Sequence, residues 1–196
     1  MSEAGFSLNG TSGVFFAVVG SSGVGKDSLI AYARKELDTD PRFVFTRRTV
    51  TRTAHAELED HDSLSLDEFE RQEAQGRFAM TWEAHGLRYG LPASILGDLA
   101  AGKVVTANLS RKMLEAARKI FDRLQIVEIT APAEIRAQRL ASRGRESAAA
   151  VEARLNRTVV PVAGQNVTRI ENAGTLAEAG EQLAALLRDL AYGSEP

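Results

Sequence analysis

The chain has 196 residues, 44% of them hydrophobic and 26% charged, and a formal net charge of −2; this fits one well-packed α/β domain and gives no general pull toward nucleic acid. It contains no cysteine, which excludes disulfide staples and thiolate chemistry. Its start has no signal-peptide pattern and no apolar run is long enough to cross a bilayer, so the expectation is a cytoplasmic protein without nucleic-acid or membrane partners.

Residues 1–13 read as a flexible leader. The apolar run at 14–19 predicts a buried first strand, and Leu29, Ile30, Ala33 and Leu37 recur at helical spacing over 26–39. Between them lies Gly20-Ser21-Ser22-Gly23-Val24-Gly25-Lys26-Asp27-Ser28. Strand, glycine-rich turn and helix form the context in which backbone N–H groups and a helix N-terminus surround an anion. The spacing is that of a nucleotide phosphate loop, except that Asp27 stands where Ser or Thr is usual and the hydroxyl follows at Ser28. Residues 20–28 are therefore the candidate ATP site. Lys26 suits the terminal phosphates, Asp27 suits a Mg²⁺ ion or one of its waters, and Ser28 suits either metal or phosphate.

A short strand at 43–45 delivers Arg47, Arg48 and Arg52 into a loop. They form either a solvated charged edge or a second anion site, and a phosphate loop upstream favours the second. Most basic residues of the chain are arginine, whose planar fork matches phosphate oxygens. Glu57, Glu59, Asp60 and Asp62 crowd around His61, either as an exposed acidic turn or as carboxylates aimed at an acceptor hydroxyl or a metal. The histidines lack zinc-site spacing.

Ser65 and Glu68 cap a short helix to about 73. Phe78, Met80 and Trp82, then Leu87 and Tyr89, alternate on either side of His85-Gly86 and predict a two-strand insert. Tyr89 either covers a ligand or packs this insert. Residues 46–91 are read as the acceptor-binding insert. A helix at 93–101 leads to a parallel strand at 103–106, which ends in Asn108, Ser110 and Arg111 at the edge where open α/β sheets bind ligands. Arg111 reads equally well as an exposed residue of the helix expected over 111–121. A strand at 124–129 precedes Arg136, Arg139, Arg143 and Arg145, grouped around Gly144. That pattern predicts either a lid at 139–150 over triphosphate charge or a helical hairpin with solvent-facing arginines. A strand at 167–170 and an amphipathic helix at 176–190 close one domain spanning 14–190, and 191–196 reads as a frayed tail.

Two anion sites and an arginine-rich lid point to phosphoryl transfer between two bound small molecules, a reaction that asks mainly for positioning and charge neutralisation. Lys26, Arg139, Arg143 and Arg145 are the expected catalytic cations. The competing class, a phosphate-loop NTPase switch, needs a water-positioning residue and an acidic strand end. The strands ending at 106–108 and 128–130 provide no apolar run closing on Asp.

Over about residues 14–190 the chain resembles the guanylate-kinase-related branch of nucleoside monophosphate kinases. The resemblance rests on the loop, Thr51-Arg52, Gly76-Arg77-Phe78, Gly86-Leu87-Arg88-Tyr89-Gly90 and Arg139 through Arg145. It implies a P-loop kinase three-layer fold with a mainly parallel central sheet, acceptor phosphate held near Arg52 and Tyr89, and a mobile lid at Arg139–Arg145. Ala79-Met80-Thr81-Trp82 stands where that branch reads guanine. There and at Glu59-Asp60-His61, Asn108-Leu109-Ser110-Arg111 and Arg143-Gly144-Arg145-Glu146 the chain resembles the ribose 1,5-bisphosphate phosphokinases of phosphonate utilisation. That likeness implies ATP as co-substrate, Mg²⁺, and a phosphorylated sugar whose C1 phosphate is converted to the diphosphate of 5-phosphoribosyl 1-diphosphate. Arg47, Arg48, Arg52, Glu59, His61, Trp82, Tyr89, Asn108 and Arg111 are then the expected acceptor residues. Guanylate kinase is the alternative, and homodimer formation is left open.

Overall fold

Strand β1 (Val14–Gly20) is the axis around which the layers form. Its side chains alternate: Phe15, Ala17 and Val19 enter one apolar cluster, while Phe16 and Val18 enter another. A strand buried on both faces needs a covering layer on each side, and parallel sheets supply this through crossover helices. The computed structural model describes residues 13–51, 61–84, 86–142 and 161–193. There β1 is central to a parallel sheet with β2 (Phe43–Phe45), β7 (Val104–Asn108), β8 (Leu124–Thr130) and β9 (Val167–Glu171), in the order β2-β7-β1-β8-β9.

Helices α1 (Lys26–Leu37) and α6 (Leu176–Tyr192) cover the Phe16/Val18 face with Leu29, Ala33, Ala179, Leu183 and Leu187. α6 starts on a reciprocal cap, in which Thr175 accepts from the Glu178 N–H and the Glu178 carboxylate accepts from the Thr175 N–H. The other face is covered by α3 (Ser94–Ala100) and α4 (Leu114–Ile120), through Ile95, Leu99, Leu114 and Ala117. α5 (Ala133–Ser142) follows β8.

A second sheet has the order β4-β3-β6-β5, built from β3 (Arg48–Val50), β4 (His61–Ser63), β5 (Phe78–Ala84) and β6 (Leu87–Pro92). It is antiparallel except at β3–β4. Met80, Trp82 and Leu91 join the cluster of Phe15, which welds this sheet to the main one. Helix α2 (Leu66–Ala74) begins where Ser65 Oγ accepts from the Glu68 N–H at 3.2 Å.

The α/β class and the mainly parallel central sheet agree with the sequence reading. Two local expectations change. Arg48 is not in a loop but opens β3, because Thr49 and Val50 are β-branched and bury against β6. The helix expected from 111 starts as a 3₁₀ turn, Arg111–Met113, and becomes α-helical only at Leu114. Residues 1–12 of the leader, 143–150 of the expected lid and 194–196 of the tail lie outside the described residues. Among the described residues no helix is long and apolar enough to cross a membrane.

Candidate active site

The loop at 20–25 leaves the carboxyl end of β1, so the period of the neighbouring strands decides which side chains surround it. Asn108 on β7 sits beside Val18, and Glu128 on β8 sits beside Val19. Val18 and Val19 face opposite layers, so their neighbours do too. Asn108 turns toward α1 and donates from Nδ2 to Asp27 Oδ1 at 2.6 Å. Glu128 turns to the other layer, where Arg111 Nη2 lies 3.0 Å from its Oε1.

Four side chains, from α1, α5 and the end of β9, hold the loop by its carbonyl groups. Lys26 Nζ donates to Gly20 O at 2.8 Å and Ser21 O at 3.3 Å. Arg136 Nε donates to Ser22 O at 3.3 Å, and Arg139 Nη1 donates to Val24 O at 3.4 Å. The buried Asn172 amide donates to Val24 O at 2.8 Å. With these carbonyls occupied, the polarity the loop offers a ligand is that of its N–H groups, which is what an anion needs. Gly25 is the N-cap of α1 at φ 89°, and a Cβ there would lie 2.6 Å from Asn172 Nδ2. Gly23, at φ +82°, would set a Cβ 3.0 Å from Arg136 O and 3.1 Å from Leu140 Cγ. The cradle is closed from behind by α5 and by the end of β9.

The residues present fit a triphosphate and a divalent cation. Lys26 and the loop suit phosphate oxygens. Asp27 supplies a hard oxygen donor in the first turn of α1, and the Asn108 amide fixes one of its two oxygens. Ser28, one position on, is exposed rather than turned toward β7.

The expected acceptor residues fall on several surfaces. Tyr89 on β6 stacks on Trp82 of β5, with ring centroids 5.4 Å apart and planes at 9°. Arg48 Cζ lies 5.8 Å from the Tyr89 ring centroid. Arg47 pairs with Asp62 at 3.3 Å. Asn108 belongs with Asp27, on the loop side. Arg52, Glu59, Arg143 and Arg145 lie outside the described residues, and so does the side chain of His61.

Three of the expected site residues make their described contacts within the protein. Trp82, expected to touch the acceptor, is only 8% exposed and packs in the core cluster, where it backs Tyr89; an indole is too apolar to leave outside when a core is adjacent. Arg139, expected to meet transferring phosphoryl charge, bonds the backbone carbonyls of Val24 and Asn172 and is part of the loop's support. Arg111, expected at the acceptor, lies on the loop itself, where Nη1 donates to Ser21 Oγ at 3.2 Å. The same guanidinium pairs with the buried Glu128 carboxylate through Nη2 at 3.0 Å.

Sequence reasoning missed Glu128 and Asn172 as contributors. A signal existed for Glu128, a lone charge inside Ile126-Val127-Glu128-Ile129. Nothing marked Asn172, whose role depends on the end of β9 meeting the loop.

No family model matches the chain. The chain is 44% identical over 180 residues to the ribose 1,5-bisphosphate phosphokinase PhnN of Agrobacterium fabrum, covering 91% of this chain and 98% of that one. It is 48% identical over 179 residues to the enzyme of the same name from Brucella melitensis, covering 91% and 92%. A bifunctional ribose 1,5-bisphosphokinase-thymidine phosphorylase of Azorhizobium caulinodans is 52% identical over 150 residues, which are 76% of this chain and 22% of that protein. Among solved structures, a guanylate kinase from Anaplasma phagocytophilum superposes with a TM-score of 0.61 at 17% identity, covering 94% and 89%. A gluconokinase from Sinorhizobium meliloti gives 0.53 at 19%, covering 92% and 94%. Both likenesses are of fold.

Proposed function

The chain belongs to the ribose 1,5-bisphosphate phosphokinase family, and from that premise we propose that it transfers the γ-phosphoryl group of ATP to the C1 phosphate of ribose 1,5-bisphosphate, giving 5-phosphoribosyl 1-diphosphate and ADP. The observation that carries the reading is 44% identity along nearly the whole length of a relative bearing that name. The complete loop with Lys26, held open by Arg136, Arg139 and Asn172, supports it.

In this reading an ionised oxygen of the C1 phosphate attacks the γ-phosphorus as the bond to the β–γ bridging oxygen breaks. No proton has to leave the nucleophile, so the chain needs no general base, and its task is alignment and charge compensation. The loop N–H groups and Lys26 bind the β and γ phosphates. Mg²⁺, when bound, would supply positive charge against the phosphates as transfer proceeds; Asp27, oriented by Asn108, is the residue suited to hold it or one of its waters, with Ser28 left for phosphate. Arg48 and Tyr89 form the described part of the acceptor site. Arg52, Glu59, Arg143 and Arg145 complete the proposed set from sequence alone.

The test is an ADP-release assay with purified protein, ATP and Mg²⁺, supplied with ribose 1,5-bisphosphate or with GMP. Turnover with the sugar bisphosphate and little with GMP is expected. Turnover with GMP alone would replace this assignment by guanylate kinase.

A further inference from the structure

Glu128 is a carboxylate in the middle of a sheet, with its side chain 2% exposed. A charge so deep persists only when paired and hydrogen-bonded. On one side Oε2 accepts from Arg169 Nε at 2.9 Å, and the Val162 N–H lies 3.2 Å from Oε2 and 3.3 Å from Oε1. Those two groups already give the carboxylate a cation and a backbone donor. A second cation is nevertheless present: Arg111 Nη2, 3.0 Å from Oε1.

The other terminal nitrogen of that guanidinium, Nη1, donates to Ser21 Oγ, the first side chain of the loop. Arg111 therefore reaches from beyond β7, past the end of β1, to β8, with one tip on the buried carboxylate and the other on the loop. Its Nε is buried and has no hydrogen-bond partner. The guanidinium is thus set by its two tips at the expense of its own third donor. Two guanidiniums against one carboxylate also leave a net positive charge beside the loop. With its oxygen accepting from Arg111, Ser21 has its own O–H available as a donor.

We infer that Glu128 is a positioning residue for the donor nucleotide: it holds Arg111 across the end of β1 so that Ser21 and the guanidinium charge are presented to the ATP phosphates. The inference deepens the proposed function and rests on the loop being the ATP site. Glu128 itself touches no substrate. Its effect on ATP passes through Arg111, and the acceptor side is untouched.

The experiment is calorimetric titration of ATP, without acceptor, into wild type, Glu128→Gln, Arg111→Met and the double variant, with melting temperatures recorded for each. Arg111→Met leaves Glu128 paired to Arg169 and Val162, so it keeps the inference testable if Glu128→Gln does not fold. Each single change is expected to weaken ATP binding by about tenfold or more, the scale of one lost hydrogen bond to a charged group. The double variant should bind no more weakly than Arg111→Met alone, and KM for the sugar bisphosphate should stay at the wild-type value. Unchanged ATP affinity in Arg111→Met, or additive losses in the double variant, overturns the inference while leaving the donor site in place. Absence of ATP binding by wild type overturns both.

Discussion

The Asn108 amide donates to the Asp27 carboxylate at 2.6 Å, joining the end of β7 to the first turn of α1. Many phosphate-loop enzymes place a hydroxyl on the helix and a carboxylate at a neighbouring strand end to hold the metal ion. Here the carboxylate is on the helix and the uncharged partner on the strand, so the same number of negative charges is supplied from the opposite side.

That exchange predicts a reciprocal rescue. Asp27→Ser and Asn108→Asp, made singly, should each raise the Mg²⁺ concentration needed for half-maximal ADP release by roughly 10–100-fold, the range typical of altered metal shells. The double variant restores the hydroxyl-plus-carboxylate pair and should recover most of the loss. A double variant worse than both singles would show that the two positions do not share one ion.

Asn172 is 2% exposed and caps Val24 O from behind the loop. Asn172→Ala removes the shorter of the two donors on Val24 O and leaves Arg139 Nη1 at 3.4 Å, a loss of about 0.5–1.5 kcal/mol. Thermal denaturation should show a fall of a few degrees, and KM for ATP should rise more than KM for the acceptor.

Gly25→Ala combines two penalties, a left-handed φ of 89° and a contact 2.6 Å from Asn172 Nδ2. Together they should cost about 1–3 kcal/mol in stability. The Asn172→Ala background removes the contact but not the backbone strain, so Gly25→Ala should still destabilise there, by about 1–2 kcal/mol. Denaturant titration of the four proteins separates the two terms.

Tyr89 stacks its ring on Trp82, and in the proposed acceptor site its hydroxyl would donate to the acceptor phosphate. Tyr89→Phe keeps the stack and should leave the melting temperature near the wild-type value while raising KM for the sugar bisphosphate severalfold, about the effect of one hydrogen bond. Trp82→Leu removes the stack and should destabilise the fold by at least about 0.5–1.5 kcal/mol. A change in ATP affinity with Tyr89→Phe would move this residue out of the acceptor site.

Glu73 ties α2 to the second sheet. It accepts from Thr81 Oγ1 at 2.6 Å and from Arg88 Nη2 at 2.5 Å. The Thr81 hydroxyl first, and then the Arg88 charge, hold its carboxyl below the ordinary value of 4.5. The folded state therefore keeps Glu73 ionised at pH values where the unfolded chain binds a proton. Its contribution is complete above the ordinary value and is lost as pH falls through the lowered one. Glu73→Gln should be less stable than wild type at neutral pH, and the gap should close in acid. A gap that persists undiminished to pH about 3 would assign the loss to packing rather than charge.

Much of the main sheet was legible because it depends on local signals. The run at 14–19, Phe43–Phe45, the 103–106 run and the helix at 176–190 announce themselves by apolar continuity or period. The second sheet was less so. β3 and β4 are three residues long and take their strand form from pairing with β6 and with each other, which nothing within Arg48–Val50 or His61–Ser63 states alone. The arginines show the same limit, since type and spacing offered phosphate contacts or solvent-facing positions for Arg47, Arg48, Arg52, Arg111, Arg139, Arg143 and Arg145 without deciding between them. Arg111 and Arg139 went to loop support because a buried carboxylate and a carbonyl lay within reach of their forks.

Composition and chain order by themselves determined the α/β class and the phosphate loop with Lys26, because a strand, a glycine turn and a helix in succession carry their geometry within about two dozen residues; the likeness to kinases of phosphorylated sugars rested on motif resemblance from Glu59 to Glu146. Only the tertiary structure decided that Asn108 serves Asp27, that Arg111 bridges Ser21 to Glu128, and that Asn172 and Arg139 close the back of the loop. Those contacts span from 17 to 148 positions along the chain. They exist because parallel packing brings the carboxyl ends of separate strands to one edge, where each buried polar group must find its partner.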